Sequence, residues 1–465
     1  MSDAGGPAES IDLEELADWM VERRWFASKS RELSQVGVID MPLLDPEAPP
    51  LRIALVEVHF GTGTHEIYQV PIAVVDSGEL PAEARIAAMD GGKHTVYDLL
   101  AERRDPPRLL RLIVGGGQVA SAEGRVVFEW REGEPPPEGA EARPIASEQS
   151  NSSVVFGENA ILKIYRRVEA GVNPELEMLR FLGEHGFRHV PKLLGWYSYE
   201  GRPADATLGV VQEFIADGRD GWELVLDGLA GDPDSLLEPL RALGATVGEM
   251  HTVLASDPTD PVFAPEERGN ESLALFTASL DERVERAFLD LPEDELLEPI
   301  AHRGEELRDQ LRGLARIGGA GMAIRVHGDM HLGQALLSDR GWTIIDFEGE
   351  PARPLPERRH KSSPLRDVAG ILRSLAYAPL AARLQHKAEV PEDWELRARQ
   401  DFLDGYLDAI DPTLLPATRR EVDHLLAIYE LEKAVYELNY ELNNRPDWVG
   451  IPVAGITRLL EVEVA

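Results

Sequence analysis

The sequence predicts an α+β fold in which strands dominate the amino-terminal half and helices dominate the carboxy-terminal half. Residues 36–75 alternate between apolar and polar side chains, which is the pattern of half-buried β-strands. From residue 366 to the end, apolar side chains recur instead at helical spacing. Between these regions, two short apolar runs near residues 323–346 each end in polar side chains. Short strands that end in polar residues are rigid supports for a functional site.

Composition excludes several classes of protein. The chain has 465 residues, enough for two or three domains, and its 83 acidic and 47 basic side chains give a formal charge of -36. So acidic a surface excludes nucleic acid and anionic membranes as partners, and a nucleotide site would need local cations. The absence of cysteine excludes disulfides, thiolate zinc sites and cysteine nucleophiles. An acidic amino terminus and the lack of an apolar run of about 20 residues predict a cytoplasmic protein.

The amino-terminal region should begin with a helix and continue as strands. Apolar residues at helical spacing predict a helix over Ile11–Val21, and a basic and aromatic segment follows it. Two alternating runs flank a Gly-Thr-Gly turn and predict a β-hairpin over Leu51–Ile72. Further expectations are helices over Thr95–Leu100 and Arg108–Val114, a strand over Arg125–Trp130, and a Pro- and Gly-rich boundary loop over Glu132–Arg143.

A lysine-bearing strand follows the boundary loop. The run Ala160–Tyr165 carries Lys163 between apolar neighbours, and Asn173-Pro174-Glu175 predicts the start of a helix that bears Glu177. In kinase-like folds, a strand lysine paired with a glutamate on the next helix positions the α- and β-phosphates of ATP. Glu177 is also compatible with a solvated position on its helix.

Two further segments of this region suit the ends of a nucleotide. A turn of small residues before the lysine strand offers donors for phosphates. Its candidate residues are Ser150, Asn151, Ser152 and Ser153. A buried run from Leu208 onward resembles the strand that leads into the hinge between two lobes, where the backbone meets adenine. The hinge candidates are Gln212, Glu213, Phe214 and Ile215.

The strongest signal is the pair of runs Val326–Gln334 and Trp342–Glu348. Asp329 ends a short extended segment, the amide Gln334 follows five residues later, and Asp346 ends the second run. Protein kinases place a catalytic aspartate, an amide ligand and a metal-binding aspartate in this order. We therefore predict Asp329 as the base that orients a hydroxyl, with Gln334 and Asp346 as Mg²⁺ ligands.

Three neighbours of these residues are predicted to support the same loops. His327 and His331 flank the predicted base, and hydrogen bonds that hold the loop are the role we predict for both. Glu348 is compatible with a contact to the metal or with bracing of the loop.

A helix near the carboxy terminus has one face of carboxylates, amides and aromatic rings. Glu437, Tyr440, Glu441 and Asn444 follow each other at spacings of three or four residues, which places them on one helix face. A sugar needs such groups, because they supply hydrogen bonds to hydroxyls and a flat surface beneath the ring. The residue types are equally compatible with a polar helix face that ends at Arg445-Pro446.

Three motifs together resemble the bacterial maltokinases. They are Val-His-Gly-Asp-Met-His-Leu-Gly-Gln at 326–334, Asp-Phe-Glu-Gly-Glu-Pro-Ala-Arg-Pro at 346–354, and Tyr-Glu at 436–437 through Asn-Arg-Pro-Asp-Trp at 444–448. Arg24-Trp25-Phe26 fits as well. The resemblance implies a bilobal protein-kinase-like fold of the aminoglycoside phosphotransferase type. Its implied parts are an amino-terminal cap over residues 1–90, an N-lobe over 91–215 and a mostly helical C-lobe over 216–465.

The resemblance also implies an activity and a set of residues. Maltokinases make maltose 1-phosphate from maltose and ATP for glycogen and α-glucan synthesis, which implies a functional link to a trehalose synthase. The implied ATP and Mg²⁺ residues are those already named around Lys163 and Asp346. The implied substrate residues are His327, Glu437, Tyr440, Glu441, Arg445 and Trp448.

Two alternatives remain at this stage. Actinobacterial glucosamine kinases, which make glucosamine 6-phosphate, are similar over the same motifs, and their pocket would place a carboxylate against the substrate ammonium. Tyr440 and Trp448 favour a disaccharide, whereas Glu437 and Glu441 suit either sugar. A non-catalytic, pseudokinase-like sensor is the second alternative, and the intact catalytic set argues against it.

Overall fold

The computed structural model describes residues 11–76, 85–100, 105–145, 150–289, 291–316, 319–351 and 353–461. Residues 1–10 lie outside these ranges, as do residues 147–149 at the start of the small-residue turn, whereas its candidate residues 150–153 are described. The structure divides into two units, which are Met1–Arg180 with Pro191–Ala216, and Phe181–Val190 with Asp217–Ala465. Strands dominate the first unit and helices the second, so the predicted α+β class is confirmed.

The first unit begins with a helix on a curved antiparallel sheet. Helix α1 (Leu13–Glu22) starts at Asp12, whose carboxylate accepts the amides of Glu14 and Glu15. The sheet has the order β1-β3-β4-β6-β5, with β2 beside β3. The strands are β1 (Leu33–Asp40), β2 (Leu43–Asp45), β3 (Leu51–Phe60), β4 (His65–Asp76), β5 (Arg85–Met89) and β6 (His94–Asp98). The predicted hairpin is confirmed as the β3-β4 pair.

One secondary-structure prediction in this unit is wrong. Residues 94–98 form strand β6, which pairs with β4 and β5, instead of opening a helix at Thr95. Partners on both sides decide the conformation of such a short segment, and its own sequence does not contain them. The helix predicted at Arg108 is confirmed as α2 (Pro106–Gly115).

A second antiparallel sheet completes the first unit. Its order is β7-β8-β13-β14-β11-β10-β9. The strands are β7 (Gly117–Ala120), β8 (Gly124–Trp130), β9 (Ala142–Ile145), β10 (Ser152–Phe156), β11 (Ala160–Ile164), β13 (Leu193–Gly201) and β14 (Ala206–Glu213). Helix α3 (Pro174–Glu184) follows β12 (Arg167–Val168), which pairs with β4. Apolar side chains of β3, α2, β10, β11 and β14 share one core, so the two sheets pack together.

Buried polar groups also link these two sheets to each other. The Gln69 side chain is fully buried, donates to the Tyr165 carbonyl at 2.7 Å and accepts from the Tyr197 hydroxyl at 3.0 Å. Arg166 pairs with Asp98 at 2.8 Å, and its guanidinium lies 5.0 Å from the ring centre of Trp25. A buried polar group is costly unless it is hydrogen-bonded, so these contacts hold the sheet of β1–β6 to the sheet that carries Lys163.

The second unit is mostly helical. Its helices are α4 (Gly221–Ala230), α5 (Leu237–Leu254), α6 (Asn270–Leu289), α7 (Gly304–Leu314), α8 (Leu355–Arg358), α9 (Leu365–His386), α10 (Trp394–Ala409), α11 (Arg419–Asn444) and α12 (Gly450–Leu460). Two small sheets lie among them, β15 (Arg219–Asp220) with β18 (Ala335–Ser338) and β19 (Gly341–Ile344), and β16 (Glu266–Glu267) with β17 (Met322–Ala323). Apolar side chains of α6, α7, α11 and α12 form one core. Among the described residues, no helix has the length and apolarity that crossing a membrane requires.

Candidate active site

The β18-β19 hairpin brings two of the predicted metal ligands into contact. Gln334 ends a short 3₁₀ turn directly before β18, and Asp346 follows β19. The Ile345 amide donates to the Gln334 carbonyl at 3.0 Å, and the Gln334 side-chain amide donates to the Asp346 carboxylate at 3.0 Å. Two groups separated by twelve residues therefore meet because the hairpin folds back on itself.

The donor set of this pair fits Mg²⁺. Turning the Gln334 amide over would present its oxygen beside the Asp346 carboxylate, and these are oxygen ligands of the kind Mg²⁺ binds. Asp346 has a φ of 65°, a left-handed conformation that costs a non-glycine residue about 1–3 kcal/mol and that clusters at functional sites. The backbone thus holds this carboxylate in a position that an ordinary turn would not give it.

A buried aspartate on α9 holds the loop that carries Asp329. The Asp367 carboxylate accepts the backbone amides of His327 at 2.7 Å and Gly328 at 2.9 Å, and it lies 3.1 Å from His251 Nε2. Burial favours a raised pKa for Asp367, but the hydrogen bond and charge of His251, together with the charge of His327 and the Gly328 amide, lower the pKa overall. Tyr406 supports His251 from the other side, with its hydroxyl 3.1 Å from Nδ1. Asp367 is thus a positioning residue, which the sequence analysis did not identify.

His327, predicted both to hold the loop and to bind substrate, lies buried against the segment that leads to Asp346. Its side chain is 1% exposed, packs against the Phe347 ring and donates from Nε2 to the Ile345 carbonyl at 2.9 Å. Because a carbonyl only accepts, Nε2 carries the proton, and Nδ1 faces the Asp329 amide at 3.4 Å. His327 therefore joins the base loop to the segment that ends in Asp346. That is the loop-holding role also predicted for it.

His331 has a related role on the other side of Asp329. Its Nδ1 accepts the Gly333 amide at 3.1 Å and so caps the 3₁₀ turn that ends at Gln334. Burial lowers the pKa of His331 despite the nearby Asp329 carboxylate, which opposes this shift. A lowered pKa favours the neutral ring, which is the form that accepts the Gly333 hydrogen bond.

The predicted sugar-binding face of α11 lies in the same cavity as Asp329. This cavity has a volume of about 900 Å³, and we call it the acceptor cavity. The structure brings together there five of the six predicted substrate residues, namely Glu437, Tyr440, Glu441, Arg445 and Trp448. His327 is not among its lining residues.

Arginines already neutralise both predicted glutamates. Arg373, which is buried on α9, donates from Nε and Nη2 to Glu437 Oε2 at 3.0 and 2.6 Å. Burial alone would lower the pKa of Arg373, and the Glu437 carboxylate reverses that shift and raises the pKa. Glu441 accepts two bonds from Arg445, at 2.9 and 2.7 Å, and one from the Tyr377 hydroxyl at 3.1 Å. These bidentate pairs fix the side chains that line the wall of the cavity.

Aromatic rings form much of the remaining wall. The Tyr377 and Trp448 rings stack with centres 6.2 Å apart, and those of Tyr436 and Tyr440 stack at 6.5 Å. Tyr436 is 59% exposed and Tyr440 44% exposed, although rings of this size usually bury most of their surface. Flat exposed rings beside hydrogen-bonding groups suit the face of a sugar.

Two cavity cations were missed by the sequence analysis. Arg373 interrupts the apolar run Val368–Leu375, and an arginine in such a run is a signal that a buried partner exists. Lys433 lines the cavity one helical turn before Glu437, and in the described part of the chain no carboxylate lies within 4 Å of its ammonium. Lys433 thus offers the acceptor cavity a donor that no acid neutralises.

In the first unit, Lys163 on β11 pairs with a glutamate of α3, as the sequence predicted for this strand and helix. The partner is Glu175 at 3.1 Å instead of Glu177, so the choice of residue is corrected. Helix α3 begins at Pro174, so Glu175 lies in its first turn, and Glu177 is rotated from it by about 200° around the helix axis. Glu175 is fully buried and also accepts the Tyr165 hydroxyl at 2.9 Å.

The predicted nucleotide residues of this unit have different surroundings. Ser153 lies opposite Lys163 in the β10-β11 pair, so both side chains share a face of the sheet with Gln212 of β14. Ser153 Oγ and Gln212 Oε1 are buried without a hydrogen-bond partner among the described residues. Buried unpaired oxygens beside a lysine fit a site that a polar ligand such as ATP completes.

The other predicted nucleotide residues are more constrained. The Ser152 hydroxyl accepts a hydrogen bond from Arg166 Nε at 2.8 Å, so it supports the contact with the sheet of β1–β6. At the predicted hinge, the amides of Glu213 and Phe214 already donate to the carbonyls of Lys192 and Asn159, at 2.9 and 3.1 Å. Ser150 is exposed, Asn151 is buried just before β10, and Ile215 is buried after β14.

A glycine of α9 sets the distance between this helix and the base loop. A Cβ at Gly370 would lie 2.0 Å from the Met330 carbonyl oxygen. We expect Gly370→Ala to displace the loop and lower kcat by about 100-fold, since a shift of about 1 Å at a reacting group can have that effect. Steady-state kinetics would measure it. Gly183→Ala on α3 is the control, because its Cβ meets no atom within 4 Å, and equal kinetics for the two variants would contradict the prediction.

Comparison with known proteins agrees with this arrangement. Residues 141–349 match the phosphotransferase enzyme family, APH, and residues 19–101 match the maltokinase N-terminal cap domain. The glucosamine kinase of Mycolicibacterium smegmatis is 28% identical over 334 residues, which are 69% of this chain and 79% of that protein. The glucosamine kinase of Streptacidiphilus jiangxiensis is 28% identical over 332 residues, which are 68% and 73% of the two chains.

A solved structure shares the fold over nearly the whole chain. A glucosamine kinase in its crystal form B superposes with a TM-score of 0.70 at 21% identity, covering 99% of this chain and 98% of that chain. The match to the phosphotransferase family and the glucosamine kinase relatives together identify a kinase that phosphorylates an alcohol group of a sugar. Residues 141–349 are similar to the APH phosphotransferases, a match that implies ATP as the co-substrate, and residues 19–101 are similar to the maltokinase cap domain. The predicted resemblance is confirmed at this level.

Proposed function

We propose that this kinase transfers the γ-phosphoryl group of ATP to the anomeric hydroxyl of maltose and releases maltose 1-phosphate. The observation that carries the proposal is the acceptor cavity. Its volume of about 900 Å³ is ample for a disaccharide, and Asp329 lies in its wall beside stacked aromatic rings. The match of residues 19–101 to the maltokinase cap domain supports the same substrate.

The charges of the cavity favour a neutral sugar. A substrate ammonium would require a carboxylate without a partner, and arginines already pair with Glu437 and Glu441. Asp220, which also lines the cavity, accepts the amides of Trp222 and Glu223 at the start of α4. Two lining carboxylates are left over, the exposed Glu223 and Asp329 itself.

Glucosamine is the second candidate, and the named relatives favour it. Both curated relatives are glucosamine kinases at 28% identity. An amino sugar would place its ammonium against Glu223, because the other carboxylates beside Asp329 in this wall have partners. The two candidates therefore differ in their dependence on one exposed side chain.

The chemistry of the proposed reaction follows from the residues in place. Asp329 accepts the proton of the attacking hydroxyl while the new P–O bond forms and the bond to ADP breaks. Gln334 and Asp346 would hold Mg²⁺, which neutralises charge on the phosphates when bound. In the first unit, Lys163, oriented by Glu175, would bind phosphate oxygens. As in the maltokinases, the product would supply α-glucan synthesis in the cytoplasm, with a trehalose synthase as the functionally linked enzyme.

Phosphorus NMR of the products tests substrate and position together. With ATP, Mg²⁺ and either maltose or glucosamine, we expect a phosphate on the anomeric carbon of maltose and little turnover of glucosamine. We also expect Trp448→Ala to raise KM for maltose by about tenfold, because it removes a stacked ring from the cavity. Trp196→Ala is the matched control, since Trp196 lies on β13 of the first unit.

Two results would overturn the maltose proposal. One is phosphate on C6 of the product, and the other is turnover with glucosamine only. If Glu223→Gln also abolished glucosamine turnover, the second candidate would hold, with Glu223 as the partner of the ammonium.

A further inference from the structure

A second cavity of the helical unit is lined mainly by basic side chains. It has a volume of about 350 Å³, and we call it the basic cavity. Its cationic and histidine residues are Arg268, Arg353, Arg358, His360, Lys361 and Arg366. Only two glutamates, Glu350 and Glu357, line it as well.

The carboxylates around the basic cavity do not neutralise its arginines fully. Arg366, Arg353 and Arg283 share one oxygen of the buried Glu432, at 3.5, 3.8 and 3.3 Å. One carboxylate oxygen thus serves three guanidinium groups, each beyond the 2.7–2.9 Å of a close charge-assisted bond to it, and of these three Arg353 also pairs with Glu350 at 2.6 Å. The other oxygen of Glu432 is buried without a hydrogen-bond partner among the described residues.

Arg268 adds a further positive charge. It is held by the Tyr429 hydroxyl and lies over the rings of Phe276 and Tyr429. Within the described ranges, no carboxylate lies within 4 Å of its guanidinium. Lys361 pairs with Glu266 at 2.6 Å, and its side chain is 10% exposed, so this ion pair holds the lysine in the cavity wall. Positive charges that line one small cavity repel each other unless an anion lies between them.

The basic cavity shares its walls with the catalytic machinery. Gly328, one residue before Asp329, and Gly349, three residues after Asp346, both line it. Helix α11 contributes Glu432 to the arginine cluster and the next residue, Lys433, to the acceptor cavity. An occupant of the basic cavity would therefore touch the segments that hold the base and the proposed metal ligands.

We propose that the basic cavity binds a phosphate dianion, supplied as inorganic phosphate or as the phosphate group of a sugar phosphate. Guanidinium groups match phosphate oxygens with paired N–H donors, and a dianion would offset the excess of cations over glutamates. A volume of about 350 Å³ admits a sugar phosphate, whereas a polyanion would be repelled by the formal charge of -36. This inference goes beyond the proposed function, because it concerns a site separate from the acceptor cavity.

Isothermal titration calorimetry without nucleotide tests the proposal, with inorganic phosphate and glucose 6-phosphate as separate probes at low salt. Arg268→Gln removes the charge and shortens the side chain, so we expect it to weaken binding by about tenfold, the effect of one charge-assisted hydrogen bond. The control is Arg286→Gln, whose side chain is 78% exposed on α6. A further expectation is that added salt weakens binding to the unmodified protein.

The outcomes are distinct. Tighter binding of glucose 6-phosphate that is lost in Arg268→Gln would identify a sugar phosphate as the ligand, and equal binding of both probes would identify the phosphate group alone. If Arg268→Gln lowers the melting temperature, Lys361→Gln replaces it. If the cavity variants bind phosphate as tightly as the control Arg286→Gln does, the proposal is overturned, because any bound phosphate would then lie at another site. Since no turnover is measured, this result is independent of the maltose proposal.

Discussion

Asp329→Asn is expected to lower kcat by about 10²- to 10⁴-fold and to leave nucleotide affinity nearly unchanged. The carboxylate is the proposed proton acceptor, and general-base catalysis contributes on this scale. Its backbone position depends on Asp367 and His327, which the substitution does not alter. Single-turnover kinetics with the sugar substrate, together with an ATP-binding titration, would measure both quantities.

Asp339→Asn is the matched control for this prediction. Asp339 lies in the turn of the β18-β19 hairpin and is exposed, so the same change of charge occurs ten residues away. Activity of Asp329→Asn within a few-fold of this control would exclude Asp329 as the base. A loss of activity accompanied by a loss of ATP binding would instead indicate that the substitution disrupts the loop.

The second large effect is expected at Asp367. Asp367→Asn replaces one accepting oxygen by a donor, which would face a backbone amide or His251. We expect the free energy of unfolding to fall by about 3–5 kcal/mol, as when a buried ion pair loses one partner, and kcat to fall with it because the Asp329 loop is released. Urea unfolding and steady-state kinetics would measure the two effects.

The effect on stability should also depend on pH in a defined direction. The folded-state pKa of Asp367 lies below the ordinary aspartate value of about 3.8, so its contribution to stability is present above that pH and is lost as the pH falls through the folded-state pKa. The difference in unfolding free energy between the wild type and Asp367→Asn should thus be constant near pH 7 and shrink below about pH 3.8. Asp309→Asn, exposed on α7, is the control, and a difference that grew in acid would contradict the assignment.

Local spacing identified the parts of the site that are close in sequence. Asp329, Gln334 and Asp346 were predicted from their offsets, and the hairpin brings Gln334 and Asp346 to 3.0 Å. The face of α11 was predicted from helical periodicity, and its residues line one cavity with Asp329. Whether these residues act as proposed stays a prediction that the experiments above test.

Choices between neighbouring residues were beyond the sequence. Glu175 and Glu177 are both acidic and both lie early in α3, and only the rotation of the helix against β11 selects Glu175 for Lys163. Thr95–Asp98 became a strand because β4 and β5 offer partners on both sides. In both cases the deciding contact comes from a separate element.

The sequence by itself determined the α+β class, the phosphotransferase chemistry and the candidate base, because each rests on short-range spacing or on local periodicity. Only the tertiary structure decided which groups support that chemistry. Asp367 reaches the base loop from about forty residues away, and Arg373 reaches Glu437 from about sixty. The electrostatics of the acceptor cavity, on which the proposal of a neutral sugar rests, depend on such pairs, since a glutamate in a sequence carries no sign that an arginine will neutralise it.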